Sequence, residues 1–394
     1  MARVTRSQTD ARSARGRRAS GGDASRPRPV PPPPVLPEIG PARESLAALL
    51  HVVRWLAAVP LYHLGGVRAY RRWRARRLPQ GELRVLRYHR VIPDNDAEPT
   101  YALGVRRRSF ARQMQLLARE FSTVDLTRAA RLLAGDERSP GMSVLVTLDD
   151  GYRDNLTEGV PELERAGVRA ALFVATSPVS TGARFPWERL KRIVEDPSRT
   201  SLALPGGGTI ALEPGGARAR RRAFRRLHRW LEQLPVEERE AVLTLWESHR
   251  SPDARNDGPL DWNGVREAAA RGLDIGSHTV RHLRLTRLSA DDLAAELVES
   301  RHRLEEELGS PIEAIAYPSG DHDARVVAAV ARAGYRLAFT TVLGSNPTGA
   351  PPLRLRRKAI GEASSETPWG SFSPALFAVE VSGLYDQLLR RTFP

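Results

Sequence analysis

The stretch "VTLDDGYRDN" (Val146–Asn155) places two adjacent carboxylates and a glycine directly after an apolar run. Asp149 and Asp150 repel each other, and burying either one without a partner is costly. Something of opposite charge must meet them, and a metal ion is the simplest candidate. In isolation "DDG" would equally suit a turn, a helix N-cap, a phosphatase site or a sugar-nucleotide site. The surrounding chain decides between these readings.

Short apolar runs recur on both sides of this motif at 82–88, 143–148, 170–174, 273–276, 314–317, 336–341 and 354–360, the last of them polar in composition. Helical patterns fall between them at 108–120, 155–166, 291–308 and 323–333. Strand–helix alternation predicts a parallel sheet with helices outside it. Seven such strands suit a closed or nearly closed barrel. The segment of about 198–259 breaks the rhythm, beginning Gly-rich and turning helical and Arg-rich, and reads as an insertion. Residues 374–394 read as a final helix with a short tail.

Four polar motifs end these strands: "RYHR" (87–90), "DDG" (149–151), "GSHTVRH" (276–282) and "YPSG" (317–320). In a βα barrel the loops after strand C-termini share one face, so the four motifs converge by topology. His278 and His282 are spaced i, i+4, which in a first helical turn puts both imidazoles on one side. Asp150 as a third ligand completes a His₂Asp site with positions left open for water. Zinc fits that ligand set, and cobalt, nickel or manganese also suit it. Such an ion activates water and polarises a carbonyl, and Asp149 is then placed to take the proton.

These motifs resemble those of the polysaccharide deacetylase superfamily, carbohydrate esterase family four. "TLDDGYRDN" is similar to its first motif, "GSHTVRH" to its second and "YPSG" to a variant of its third. The resemblance spans roughly 81–365 and includes "RFPWERL", "LDWNGVREAAARGLDIGSH" and "GYRLAFTTVLGSN". It implies an α/β fold, a distorted (β/α)7 barrel, and metal-dependent removal of N-acetyl groups from an acetylated polysaccharide, an exopolysaccharide or related glycan. It assigns Asp149 as general base, and Asp150, His278 and His282 as metal ligands. Ser319, with Pro318 and Tyr317, would contribute to the oxyanion and substrate site. No histidine follows His322, so the family's late acid histidine is missing. "RYHR" resembles the branch in which that histidine ends the first strand, which assigns His89 as general acid. The arginine that usually precedes the third motif is also missing. A carbohydrate-binding pseudoenzyme is the alternative, and the intact triad and base speak against it.

The chain has 394 residues, no cysteine and a net charge of +15. Disulfides and thiolate metal sites are excluded. Most of the charge lies in residues 1–80, which carry a net +12. Residues 1–42 are rich in Arg, Ser, Gly and Pro, a composition expected to be disordered. They lack the compact basic, apolar and small-residue order of a cleavable signal peptide. Residues 43–80 read as an amphipathic or membrane-associated basic helix, suited to an anionic membrane surface. Arg54 and Pro60 within it argue for lying on a membrane or on the domain rather than spanning. Membrane association is therefore the expected localisation, with the cytoplasm as alternative. The near-neutral remainder argues against a nucleic-acid partner. The catalytic domain is expected at 81–365 and a C-terminal helix and tail at 366–394.

Overall fold

The computed structural model describes residues 41–95, 104–139, 141–205, 207–212, 216–247 and 257–386. The expected disordered segment, 1–42, lies outside these except for its last two residues. Two compact units emerge, one formed by 36–188 with 251–394 and the other by 189–250. The expected insertion, about 198–259, overlaps the second.

The larger unit is a curled parallel sheet. Its main strands are β1 (Glu82–Tyr88), β2 (Met142–Leu148), β3 (Ala170–Val174), β4 (Asp274–Ser277), β5 (Ala314–Ala316), β6 (Leu337–Phe339) and β7 (Lys358–Ala359), with two-residue strands Ser122–Thr123 beside β2 and Asn346–Pro347 antiparallel to β1. The order across the sheet is β6-β5-β4-β3-β2-β1, with β7 parallel to the free side of β1. The β7 segment reaches both edges. Leu355 N–H donates to Ala338 O at 2.9 Å, and Ile360 N–H donates to Arg87 O at 2.9 Å. This is the weakly apolar "RLRRKAI" run, and it pairs where the sequence expects a seventh strand.

Side-chain parity divides the core. Leu83 and Val85 of β1, Leu145 of β2, Phe173 of β3 and Phe339 of β6 pack together inside the curl. Their neighbours Leu86, Val144, Val146, Leu172 and Val174 face outward into the helical layer. Every residue of β2 is buried, as expected for a parallel strand covered on both faces. The parity also puts Thr147 and Asp149 on the inward side, in line with Leu145.

Three expectations shift. The helix expected at 155–166 opens as a π-type turn, Asn155–Gly159, before Val160–Ala166. The final helix, α4 (Pro374–Ser382), is shorter than expected, and residues 387–394 lie outside the described residues. The residues after β4 are not helical at all, as described below. Three further helices complete the elements used here, α1 (Pro41–His63), α2 (Gly66–Arg77) and α3 (Ala290–Leu308). No single described helix is long and apolar enough to cross a membrane, although Ala48–His63 and Gly66–Arg77, bent by 74°, pass that test as a pair.

The smaller unit holds a hairpin (Ser201–Ala203 with Thr209–Ala211) and the helices Ala217–Leu231 and Val236–Glu247. Trp246 is its buried centre, and its indole N–H donates to Ala203 O at 2.6 Å.

Gly276 in β4 lies against the Phe173 ring, so an added Cβ would sit 2.5 Å from two ring carbons and 3.0 Å from Ala314 O. Phe173 is itself fully buried and cannot yield. Gly276→Ala should therefore lower stability by about 1–3 kcal/mol, as read by urea denaturation. Unchanged stability would show that the interior has slack here.

Candidate active site

Asp149 and Asp150 are each only 2% exposed at the mouth of the curl. They receive different partners. Arg357, carried on the segment that leads into β7, grips Asp149 with both guanidinium nitrogens, Nη1 to Oδ1 at 2.7 Å and Nη2 to Oδ2 at 2.8 Å. Its Nε donates to Thr340 O at 2.8 Å, which fixes the plane of the fork. Burial alone would raise the Asp149 carboxyl, but the charges of Arg357, His278 and His89 together hold it well below the usual carboxylate range. Asp149 is thus kept ionised and immobile. No arginine precedes "YPSG", and Arg357 supplies the missing cation from a position about forty residues later in the chain. Sequence reading missed this residue. The available signal was a weakly apolar strand run, "RLRRKAI", with an arginine at Arg357 on the same parity as Leu355.

Asp150 meets two histidines instead. Its Oδ1 lies 3.3 Å from His278 Nε2 and 3.6 Å from His282 Nε2. That oxygen is buried with no hydrogen-bond partner. One donor atom from each of the three residues falls within 4.8 Å of the others. His278 Nδ1 is tied to Ala316 O at 2.7 Å, which turns Nε2 toward Asp150. Burial, with the His278 charge beside it, pulls His282 down to about 3, so its ring is neutral at ordinary pH. Two imidazole nitrogens and an orphaned carboxylate oxygen converging on one point form a donor set that fits a divalent ion.

The loop carrying the histidines differs from the first helical turn expected for 278–282. It is irregular, and Thr279 and His282 both take left-handed backbone conformations, with φ of 67° and 56°. These reversals, rather than helical periodicity, bring the rings to 4.7 Å apart. Glu296 of α3 pins the loop, accepting from Val280 N–H and Arg281 N–H at 2.9 Å each and from Arg281 Nε at 2.7 Å. Asp150 (φ 78°) and Ser319 (φ 55°) are left-handed as well. Among the described residues every non-glycine with positive φ therefore lies on these site loops, a pattern common where function fixes the backbone.

His89 sits between β1 and the short strand Arg90–Ile92, with its carbonyl accepting from Asn155 Nδ2 at 2.7 Å. Burial lowers its pKa, opposed by the nearby charges of Asp150 and Asp149. Its ring is thus within the field of both carboxylates. His322 is turned elsewhere. Its Nδ1 contacts Gly320 O at 2.8 Å, and its ring stacks on Tyr317 at 5.1 Å. The Tyr317 hydroxyl donates to Leu353 O at 2.9 Å, and Pro318 is buried beside it. Ser319 lies in the left-handed turn between them.

An aromatic wall completes the site. Trp187 lies edge-on to the His282 ring at 4.8 Å and stacks on Phe185 at 4.6 Å. Its indole N–H donates to the Tyr152 hydroxyl at 2.9 Å. Behind Tyr152, Arg90 pairs with Asp154 at 2.7 Å and lies over the Tyr152 ring at 4.9 Å. Burial pushes Asp154 up to about 6 despite Arg90. "RFPWERL" supplies this wall, although nothing in its composition assigns it to the site.

The family model for polysaccharide deacetylase matches residues 233–338, which contain both histidines and "YPSG". Over that segment the chain is similar to the polysaccharide deacetylase family. The Asp149–Asp150 motif lies outside the matched segment and is joined to it by the sheet. The chain is 20% identical over 292 residues to YxkH of Bacillus subtilis (strain 168), which is assigned provisionally as a polysaccharide deacetylase, covering 74% of this chain and 76% of that protein. In structure it resembles the Streptococcus pyogenes deacetylase PplD, solved in complex with acetate, at a TM-score of 0.50 and 20% identity, covering 76% of this chain and 98% of that one. IcaB from Ammonifex degensii aligns at a TM-score of 0.49 and 19% identity, covering 76% and 97%. At such identities the structural likeness carries the fold alone.

Removing Arg357 would leave Asp149 buried and unpaired. Arg357→Met should cost about 3–5 kcal/mol of stability at neutral pH, measured by urea unfolding. The double variant Arg357→Met/Asp149→Leu should recover most of that loss, because no buried charge remains. If the single variant is as stable as the wild type, the pair is not what accommodates Asp149.

Proposed function

We propose that this protein hydrolyses N-acetyl groups of an acetylated glycan, an exopolysaccharide or related N-acetylhexosamine polymer, releasing acetate and leaving a free amine. The observation that supports this best is the unequal partnering of two adjacent buried carboxylates. One is locked to an arginine, and the other has an orphaned oxygen facing two imidazoles.

Asp150, His278 and His282 would hold a divalent ion, zinc first by ligand type, with cobalt, nickel or manganese as alternatives. When bound, such an ion polarises the acetyl carbonyl and makes water a nucleophile near neutral pH. Asp149 takes the proton of the attacking water. Arg357 aims that carboxylate through two parallel hydrogen bonds, which fix direction as well as charge. The amide nitrogen leaves poorly unless protonated, and His89 is the residue we assign to protonate it. The backbone N–H of Ser319 is the proposed donor to the developing oxyanion. Trp187, half-buried beside His282 and backed by the buried Phe185, offers an apolar surface to a sugar ring. A carbohydrate-binding role without turnover would give the buried Arg357–Asp149 pair no task, which favours the hydrolase.

Three single variants separate the roles. Asp150→Asn should lose metal and activity together. Asp149→Asn should keep metal but lose turnover, because a carboxamide cannot accept the water's proton. His89→Ala should keep metal and lose roughly 10²–10⁴-fold in kcat. The readouts are metal content and acetate release from a panel of acetylated oligosaccharides, before and after chelation and zinc addition. Near wild-type turnover in Asp149→Asn would remove it as the base. A nearly fully active His89→Ala beside an inactive His322→Ala would move the acid to the loop after "YPSG".

A further inference from the structure

Helix α1 is apolar on the side that faces solvent as well as on the side that packs on the domain. A helix on a protein surface normally turns its apolar stripe inward and its polar face to water. Leu46, Leu49, Leu50, Val53 and Leu56 recur at helical spacing along α1, and each is 52–58% exposed. The only charged residue between Ser45 and His63, Arg54, points the other way. It forms an ion pair with Glu380 of α4, whose side chain is 1% exposed, and lies 5.4 Å over the Tyr385 ring. Lys358 meets the same carboxylate at 2.5 Å. The inward side of α1 thus carries its charge beside Ala58, Val59, Leu61 and Tyr62, which pack on the core, while the outer apolar stripe has no cover among the described residues.

The apolar stripe has neighbours of a particular kind. Trp369, 74% exposed, meets Trp55 of α1 edge-on at 5.0 Å. After a bend of 74°, α2 presents Arg68, Arg72, Arg76 and Arg77 to solvent, with Trp73 42% exposed among them. No acidic residue occurs between Glu44 and Glu82. Eight of the eleven exposed large apolar residues among those described lie on α1, on α2, at Leu64 between them, or at Trp369. Both helices are tied to the sheet unit, Tyr62 donating to Glu120 Oε1 at 2.6 Å and Arg71 to Glu120 O at 2.7 Å. While docked in this way, α1 lies along the domain and cannot cross a bilayer.

We propose that the outer face of α1, with Trp369, is a membrane-docking surface that lies flat in the interface of an anionic bilayer, with the α2 arginines on the lipid headgroups. An uncovered apolar strip, a basic platform at one end and tryptophans at the border match the three layers of such an interface. A second copy seated on this face would bring the same α2 arginines, with no acidic residue from 45 to 81 to meet them. Residues 1–40 are rich in Arg, Ser and Pro and offer neither a counter-charge nor an apolar match. The inference stands apart from the hydrolytic reading and does not rest on it.

The test uses the full chain with phosphatidylglycerol–phosphatidylcholine vesicles, compared with phosphatidylcholine alone, by co-sedimentation at low and high salt. The wild type should bind the anionic vesicles, more weakly in high salt. Leu49→Glu/Leu56→Glu should bind at least about tenfold more weakly, since charge on the apolar face of an interfacial helix opposes insertion. Acetate release from a soluble oligosaccharide should be unchanged, which separates this result from loss of folding or of the catalytic assignment. In the wild type, lipids brominated in their acyl chains should quench tryptophan fluorescence, and Trp369→Phe should reduce that quenching. The proposal is overturned if the wild type ignores anionic vesicles, if no quenching occurs, or if the stripe variant binds like the wild type. It is equally overturned if the wild type is a dimer that Leu49→Glu/Leu56→Glu dissociates, which would assign the face to a second copy.

Discussion

Two adjacent carboxylates, each almost sealed from water, cannot both stay charged in a low-dielectric interior without separate compensation. The pair Asp149–Asp150 is that constraint here, and the rest of the larger unit is arranged around it. Arg357 answers Asp149 from one side, and the imidazoles of His278 and His282 answer Asp150 from the other. These residues lie far apart in sequence. A sheet curled until the β7 segment touches both edges is what brings them to one mouth. Strand parity directs Asp149 inward toward Arg357, and the left-handed backbone at Asp150 turns the next side chain away. Adjacent residues can then do different work.

That division carries a local cost. Each non-glycine residue held in the left-handed region costs about 1 kcal/mol or more, and such residues persist only where the surroundings over-determine them. The over-determination is visible. Glu296 holds the histidine loop through three hydrogen bonds, and Ser277 Oγ contacts Ser300 Oγ at 2.8 Å beneath it. Ala316 O fixes the orientation of His278. The site is rigid because helix α3 and the strand ends carry its loops.

The sequence announces its strands because a parallel sheet buried on both faces must be written as apolar runs. All seven expected segments contain a strand of the sheet. The motifs at their ends were legible for the same reason, since topology alone sends them to one face. What remained hidden depends on three-dimensional pairing. Arg357 lies in "RLRRKAI", where several arginines compete and only parity selects the one facing inward. The spacing of His278 and His282 suggests a helix, but Thr279 and His282 adopt conformations that spacing cannot reveal. Trp187 becomes a site residue only through the packing of its indole against His282. The orientation of α1 was equally unreadable. In the sequence Arg54 counts only against spanning; its inward partner, Glu380, shows that it leaves the outer face of α1 uncharged.

The central claim is that Asp150 is the metal-binding carboxylate and Asp149 is not. A zinc-soaked crystal, mapped at the zinc absorption edge by anomalous scattering, tests it most directly. The account predicts one strong peak at about 2.0–2.2 Å from an Asp150 oxygen and from one nitrogen each of His278 and His282, with Asp149 still paired to Arg357. A peak bridging both aspartates, an ion bound to Asp149 alone, or no ion at this site would contradict it.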